Sequence, residues 1–420
     1  MSTLIAINNY YYPRGGSEAI FFGHNRMLEQ LGWTVVPFAM KHPSNLPTPW
    51  SEYFVDELEM SGSYSLGQKL ARLPKVIYSF EARKRLDQLI DRVHPDVVHA
   101  HNIYHHISPS ILGLLKRRGI PTLITLHDLK IACPAYSMLT HDGVCERCRG
   151  GRLYNVVKHR CIGNSAAMSF VVMLEAMLHG MLGSYRDCVS SFIVPSRFYI
   201  DKFCEWGMPR EHFRHVPNFL DVGAYVPGYR PGSAFLYFGR LTRQKGVATL
   251  IRAAAQARIE LRVAGTGPEL ESLRALAQQL KAQVSFLGHL SGEALHETIR
   301  AARAVVLPSE WYENAPVSVL EAYALGKVVI GARIGGIPEL VREGETGVCF
   351  DSGNTASLAA ALLGMMQRPD GEIEEMGRRG RRWVEQDFTV GMYRQRMLGI
   401  YGELGVRMSA AERLPVQSSA

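Results

Sequence analysis

Residues 235–246 read FLYFGRLTRQKG: four apolar residues, Phe235 to Phe238, then Gly239, then Arg240 and Lys245 five positions apart. The apolar run has the length of a buried strand, and a helix follows Gly246. A planar guanidinium, a point-charge ammonium and the unpaired N–H groups of a helix start would meet at the strand's carboxyl end. That combination can hold a diphosphate. A solvated basic turn is the plainer reading of the same spacing.

The alternation of strand, turn and helix continues on both sides. After this stretch come strands at Leu261–Ala264, Val284–Leu287, Ala304–Leu307 and Val328–Ile330. Before it lie Thr3–Asn8, Thr34–Ala39, Asp96–Ala100, Thr122–Leu126 and Ser191–Val194, with Ser17–Leu31 a helix that Gly32 ends. Strands separated by helices imply parallel pairing. The expected class is therefore α/β, with two Rossmann-like sheets of about six strands each and ligands at the strands' carboxyl ends. Two such sheets facing each other would make one cleft. Phe219–Ser233, with Pro227, Pro231 and three glycines, reads as the linker between them.

At 420 residues, two or three domains are favoured over one. Hydrophobic residues at 47% and charged residues at 20% exclude a fibrous, collagenous or wholly disordered chain. The net charge of +8 divides unevenly: 24 Lys/Arg against 18 Asp/Glu through Val216, then 23 against 21. That excess suits an anionic partner but is too diffuse to indicate nucleic acid. Thr3–Asn8 is short and has no basic segment before it, so no secretory signal is expected. Ala166–Tyr185 contains Glu175 and His179, which argues for a buried or interfacial helix over a membrane span, with helix core the better reading. The expected location is cytoplasmic.

The strongest local signal is PSEWYENAPVSVLEA, residues 308–322. Glu313 would sit in the loop before a helix and Glu321 one to two turns inside it, both able to accept hydrogen bonds from sugar hydroxyls. A helical turn starting near Asn314 would aim N–H groups at phosphates. Gly265-Thr266-Gly267-Pro268 after Leu261–Ala264 permits a tight turn and close backbone approach, a weak signal alone.

GRLTRQKG, the Glu313…Glu321 pair and Gly335-Gly336-Ile337-Pro338-Glu339 occur in order, and together they resemble the retaining glycosyltransferases of family 4, with the two-domain GT-B fold. The first half agrees: Tyr12-Pro13-Arg14-Gly15-Gly16-Ser17-Glu18 resembles the family's glycine loop, and Val98-His99-Ala100-His101, Thr125-Leu126-His127-Asp128 and Val216-Pro217-Asn218 match its pattern. The similarity spans roughly residues 3 to 404.

The resemblance implies a division of labour. Arg240 and Lys245 would neutralise the donor diphosphate, Glu321 would bind ribose hydroxyls and Glu313 hydroxyls of the donor sugar. Gly16 would bring its N–H to the phosphates from the opposite domain, and His127 would contact a sugar hydroxyl beside the reacting carbon. Gly239, Gly265, Gly267, Asn314, Ala315 and Val317 would complete the donor site. The implied organisation is an acceptor-binding domain 1–217, a nucleotide-sugar domain 218–386, a helix 387–404 crossing back to the first domain and a disordered tail 405–420. The implied reaction moves a sugar from a UDP- or GDP-sugar to a glycan or polyprenyl-diphosphate-linked acceptor, with retention, in cell-surface polysaccharide assembly. The leaving group is stabilised by cationic side chains; no Asp-x-Asp segment is present and no cofactor is required for the chemistry. An epimerase of the same fold and a non-catalytic scaffold are the competing readings.

One feature departs from the family pattern. Cys133, Cys145, Cys148 and Cys161 give C-x11-C-x2-C-x12-C within an insertion at 133–161 that is poor in apolar patterning. Four thiolates can hold a structural zinc, with His141 or His159 as substitutes. An iron–sulfur cluster, disulfides or free thiols remain open for the same residues. Cys188, Cys204 and Cys349 read as ordinary small apolar residues. The run His94, His99, His101, His105, His106 has no carboxylate or Cys to complete a metal site and is expected to line the cleft in part. Gln68–Arg92 is basic and amphipathic: either a solvated helix on the first sheet or a peripheral dock for anionic lipid at the inner membrane face.

Overall fold

A computed structural model describes residues 1–57 and 75–407. The start of the basic segment at Gln68 and the tail from Ser409 lie outside the described residues. The chain divides into two compact units, Met1–Val216 joined by the residues from Arg394 onward, and Pro217–Tyr393.

The first unit is built on a six-stranded parallel sheet. Its strands are β1 (Thr3–Ile7), β2 (Thr34–Phe38), β3 (Val97–Ala100), β4 (Thr122–Thr125), β7 (Ser191–Val194) and β8 (Phe213–His215), in the order β2-β1-β3-β4-β7-β8. A two-strand hairpin, β5 (Leu139–Thr140) and β6 (Gly143–Val144), stands apart within the cysteine-bearing insertion. β1, β3 and β4 are buried nearly throughout because both faces of the sheet are covered. The first crossover helix, Gly16–Gln30, ends as its sequence requires. Gly32 takes φ +83°, its N–H donates to Glu29 O (2.9 Å), and Trp33 N–H donates to Leu28 O (3.1 Å).

The second unit repeats the plan with β9 (Phe235–Phe238), β10 (Leu261–Ala264), β11 (Val284–Gly288), β12 (Ala304–Leu307), β13 (Val328–Ala332) and β14 (Gly347–Phe350), all parallel, in the order β11-β10-β9-β12-β13-β14. Counted within the unit this is 3-2-1-4-5-6, the doubly wound Rossmann order. The order reverses between β9 and β12, and these two strands pair only at Ala304↔Phe235 and Val305↔Leu236. Beyond that point the loops at their carboxyl ends separate, which is where an open parallel sheet offers a crevice.

Two differences from the sequence reading have plain causes. β8 (Phe-Arg-His) has a single apolar residue, and β14 is a four-residue run that opens on a glycine, so neither stands out as a strand. The expected linker is packed structure: Phe219, Leu220 and Val222 are buried, Phe219 stacks on Tyr393 at 4.1 Å, and Leu220 N–H donates to Phe388 O (2.8 Å). Prolines and glycines there shape a tight path against the last helices rather than a free tether. The final helix, Val390–Glu403, runs on without a break, and from Arg394 it belongs to the first unit.

Candidate active site

In the second unit, two loops leave the point where strand order reverses: 239–246 after β9 and 308–316 after β12. Glycines let them approach each other. Gly246 adopts φ +68°, and a Cβ there would run into Pro308 O. Glu310 N–H donates to Gln244 O (2.9 Å) and Thr249 Oγ1 to Glu310 Oε1 (2.6 Å), fastening loop to loop. Gly239 (φ +148°) and Gly265 (φ +144°) do the same on the β10 side, where a Cβ on Gly265 would strike Gly239 O and one on Gly267 would strike Leu241 O. Leu241 N–H donates to Thr266 O at 2.9 Å. Gly246, Gly265 and Gly267 are therefore required by backbone contact between loops, and Gly239 by its positive φ.

Glu313 lies in the second loop, 6% exposed, and its Oε1 accepts from Lys245 Nζ (2.7 Å) and Ser309 Oγ (2.7 Å). Burial by itself would push this carboxyl up, but the charge and hydrogen bond of Lys245, with the Ser309 hydrogen bond, hold it below its ordinary value. Glu313 is thus an ionised, buried carboxylate at neutral pH. Its backbone is held too: Gly336 N–H donates to Glu313 O (2.8 Å), and Gly335 (φ +60°) has no Cβ to collide with that same carbonyl. Lys245 Nζ also stands 5.4 Å from the centre of the Trp311 ring. Arg240 is exposed on the first loop, while Tyr237 donates its hydroxyl to Arg240 O at 2.9 Å.

The helix expected to begin near Asn314 begins at Val317. Pro316 sits at its cap and has no N–H, so the first donors at this helix end belong to Val317 and Ser318. Ala315 is buried in the loop, where its carbonyl accepts from Asn218 Nδ2 (2.7 Å). Glu321 falls on the second turn of the helix, as its spacing from Glu313 implies. The Tyr225 hydroxyl hydrogen-bonds its carboxyl, and burial pushes that carboxyl up to about 7. Ser309, Trp311 and Tyr225 were not singled out from sequence; only the first two lie inside a recognisable motif.

In the first unit, Gly16 is the exposed first residue of its helix. His127 lies two residues past β4. Its Nε2 shares a 2.8 Å hydrogen bond with His101 Nδ1, and the two rings stack at 5.0 Å. His101 is 1% exposed and its Nε2 has no partner. Below it, His99 shares hydrogen bonds with Thr125 Oγ1 through Nε2 (2.8 Å) and with the Tyr401 hydroxyl through Nδ1 (2.9 Å). Tyr401 in turn meets His24 Nε2 at 2.9 Å. Burial drives all four imidazoles down, His127 to about 4 and His24 to about 3, so they are neutral at physiological pH. His99 and His101 therefore form a buried layer beneath His127, not the cleft lining expected of them. Next in sequence, burial raises the Asp128 carboxyl to about 6.

The cysteine insertion is tied together by hydrogen bonds. Cys145 N–H donates to Met138 O (2.7 Å), Asn155 Nδ2 to Arg147 O (2.8 Å) and Cys161 N–H to Val156 O (3.1 Å). Burial, with the neighbouring thiols adding to it, pushes Cys148 up to about 12 and Cys161 up to about 11. All seven cysteines are free. Among the described residues, no three His, Cys, Asp or Glu side chains are gathered to hold a metal ion. His141 pairs with Asp142 (3.0 Å) and His159 stands against Arg147 (3.5 Å).

Two other expectations concern helices of the first unit. Helix Ala166–Met181 buries Ser169, Val171, Val172, Glu175 and His179, with Glu175 paired to Lys130 (2.7 Å) inside the protein, while Phe170, Met177 and Met181, with Leu182 just beyond, are exposed. The described part of the basic segment forms helix Phe80–Val93, capped by Ser79, whose Ala82, Leu86, Leu89 and Ile90 are buried and whose Arg85 pairs with Glu81 (3.0 Å). That is the solvated-helix reading. No described helix is long and apolar enough to cross a membrane.

Two family models match the chain: "Glycosyl transferases group 1" over residues 231–383 and "Glycosyltransferase Family 4" over residues 14–158. Alpha-maltose-1-phosphate synthase of Mycobacterium tuberculosis is 29% identical over 322 residues, covering 73% of this chain and 78% of that protein. Among solved structures, sucrose-phosphate synthase of Thermosynechococcus elongatus superposes with TM-score 0.68 at 20% identity, covering 96% of this chain and 99% of that one. Anabaena HepE, solved with UDP and glucose, gives TM-score 0.66 at 16% identity over 96% of this chain and all (100%) of that one. At such identities the structural likeness speaks for the fold alone.

Proposed function

We propose that this chain, which matches the group 1 and family 4 glycosyltransferase models and has the GT-B fold, is a retaining hexosyltransferase that uses a UDP- or GDP-sugar and extends a glycan or lipid-linked acceptor in cell-surface polysaccharide assembly. The observation that carries this reading is the Lys245–Glu313 pair at the β9/β12 crevice, with Glu321 on the second turn of the adjoining helix. HepE's capture of UDP and glucose supports a nucleotide sugar as the partner.

The chemistry follows the charges. The bond between the sugar's anomeric carbon and the phosphate oxygen breaks, and its electron pair leaves with the nucleoside diphosphate. Arg240 and Lys245 stabilise the charge that develops there. In the empty protein Lys245 is engaged by Glu313, so an incoming diphosphate competes for the ammonium. Glu313 is then left to accept hydrogen bonds from the sugar's hydroxyls. The acceptor hydroxyl attacks from the face the diphosphate leaves, giving retention, and its proton passes to the departing phosphate oxygen. His127, neutral, contacts a sugar hydroxyl without adding positive charge beside an electron-poor carbon. Glu321 accepts from the ribose.

The exposed Phe170, Met177, Met181 and Leu182 support peripheral contact with the membrane that holds a polyprenyl-linked acceptor. For the cysteine insertion we propose a structural role. A zinc ion would strengthen it if the four sulfurs drew together and lost their protons, and elemental analysis of purified protein tests this: one zinc per chain supports it, none rejects it.

The deciding experiment is a donor screen with UDP-, GDP- and ADP-sugars, following free nucleoside diphosphate with and without polyprenyl-linked acceptors. Release that needs one donor, rises with acceptor and is lost in Glu321→Ala supports the transferase. Conversion of the donor sugar without acceptor would favour an epimerase. No turnover and no nucleotide binding would leave a scaffold.

A further inference from the structure

His101 comes from the end of β3 and His127 from beyond the neighbouring β4. Parallel pairing of His99 with Leu123 and Ala100 with Ile124 sets the two chain ends side by side. The backbone of His101 is fixed by its own N–H, which donates to Ile7 O at 2.8 Å. Its ring is clasped by the edge of Phe21 at 5.2 Å and by His99 at 5.0 Å. With both backbone and ring held, the 2.8 Å link to His127 Nε2 is a rigid support.

A hydrogen bond between two neutral imidazoles contains one proton, which admits two arrangements. If His127 donates from Nε2, then His101 must carry its own proton on Nε2. That atom is buried without a partner, so the arrangement leaves an N–H unsatisfied. If His101 donates from Nδ1, the buried Nε2 is only a bare lone pair, and His127 carries its proton on Nδ1. Unpaired buried donors are rarer in folded proteins than under-used acceptors, which favours the second arrangement. The charge state agrees, since neither ring takes a second proton near neutral pH.

We propose that His101 is a positioning residue that locks His127 in the Nδ1–H tautomer, so that His127 meets the donor sugar as a hydrogen-bond donor and not as a base. The layer of His99, Thr125, Tyr401 and His24 holds the surrounding rings in place. The proposal rests on the assignment of His127 to the donor sugar only for its effect on turnover. The tautomer itself is independent of that assignment.

The test combines nitrogen NMR of the full-length protein, with labelled histidine, and kinetics of two variants. In the native protein, the His127 Nδ1 signal is expected in the protonated range and Nε2 in the unprotonated range. His101→Leu should return His127 towards the Nε2–H tautomer that free imidazoles prefer and lower kcat by on the order of tenfold with little change in donor KM. His101→Asn, whose amide can still donate from a similar position, should restore most of both. A native His127 protonated on Nε2 would overturn the proposal, as would a His101→Leu protein with unchanged tautomer and kcat. If His101→Leu does not fold, the native spectrum and the Asn variant still decide. Should His127→Ala retain full activity while the native spectrum shows Nδ1–H, the role given to His127 fails and the tautomer assignment stands.

Discussion

Glu313 and Glu321 are the same residue type eight positions apart, one in the loop and one in the helix that follows, yet their surroundings set them to different tasks. Glu313 has an ammonium and a hydroxyl on one oxygen and stays ionised; Glu321 has a phenol and apolar walls and is pushed up to about 7. As an acceptor for ribose hydroxyls Glu321 needs its charged form, which is present above that value and lost below it. Donor KM is therefore expected to rise as pH falls below 7, by about tenfold per unit once well below, and Glu321→Gln should flatten the profile; steady-state kinetics from pH 5.5 to 8.5 checks this. Lys245→Ala should lower kcat by on the order of 100-fold or more. It should also destabilise the empty protein by on the order of 2 kcal/mol, because a buried carboxylate loses its partner. Denaturant unfolding of the variant, beside the milder Ser309→Ala, reads that cost directly.

At the scale of elements, the loops after β9, β10 and β12 are held by backbone contacts that only glycine permits. Gly265→Ala adds a methyl against Gly239 O in a backbone conformation that L-residues avoid, and a loss on the order of 3 kcal/mol is expected. A thermal melt falling by several degrees, with donor binding weakened, is the outcome to look for. Helix Ala166–Met181 presents a different case: it buries Glu175 and His179 beside Val171 and Val172 while leaving Phe170, Met177 and Met181 exposed. Replacing Phe170, Met177 and Met181 together with Ser should reduce co-sedimentation with anionic vesicles several-fold while leaving turnover on a water-soluble acceptor unchanged. Equal binding by the triple variant would remove the membrane role assigned to this face.

Across the whole molecule, two sheets of six strands are each an independent frame, and the donor-binding residues proposed here fall mostly on one of them. A nucleoside diphosphate that binds the folded state alone should stabilise it by about 2.7 kcal/mol at a hundredfold excess over Kd. A thermal shift with UDP or GDP, absent in Glu321→Ala, would register this and name the base. Much of this frame was legible beforehand. Ten of its strands announced themselves as apolar runs, and the Arg240/Lys245 and Glu313/Glu321 spacings marked the loops at the crevice. β8 escaped notice because it is short with one apolar residue, and β14 because it is short and opens on a glycine. The packed stretch after Asn218 was mistaken for a tether because Pro and Gly look alike in a turn and in a linker.

What the sequence determined by itself is the order of strands and helices, the parallel class, and the motifs at strand ends, since each depends on local periodicity and on residues near one another in the chain. What only the tertiary structure decided is which groups share a proton or a charge. Lys245 meets Glu313 across 68 residues, His101 meets His127 from a neighbouring strand, and Tyr401 reaches His24 from the far end of the chain. Burial then sets the charge of each, carrying Glu321 up and the histidines down, because desolvation depends on everything packed around a group and not on its neighbours in sequence.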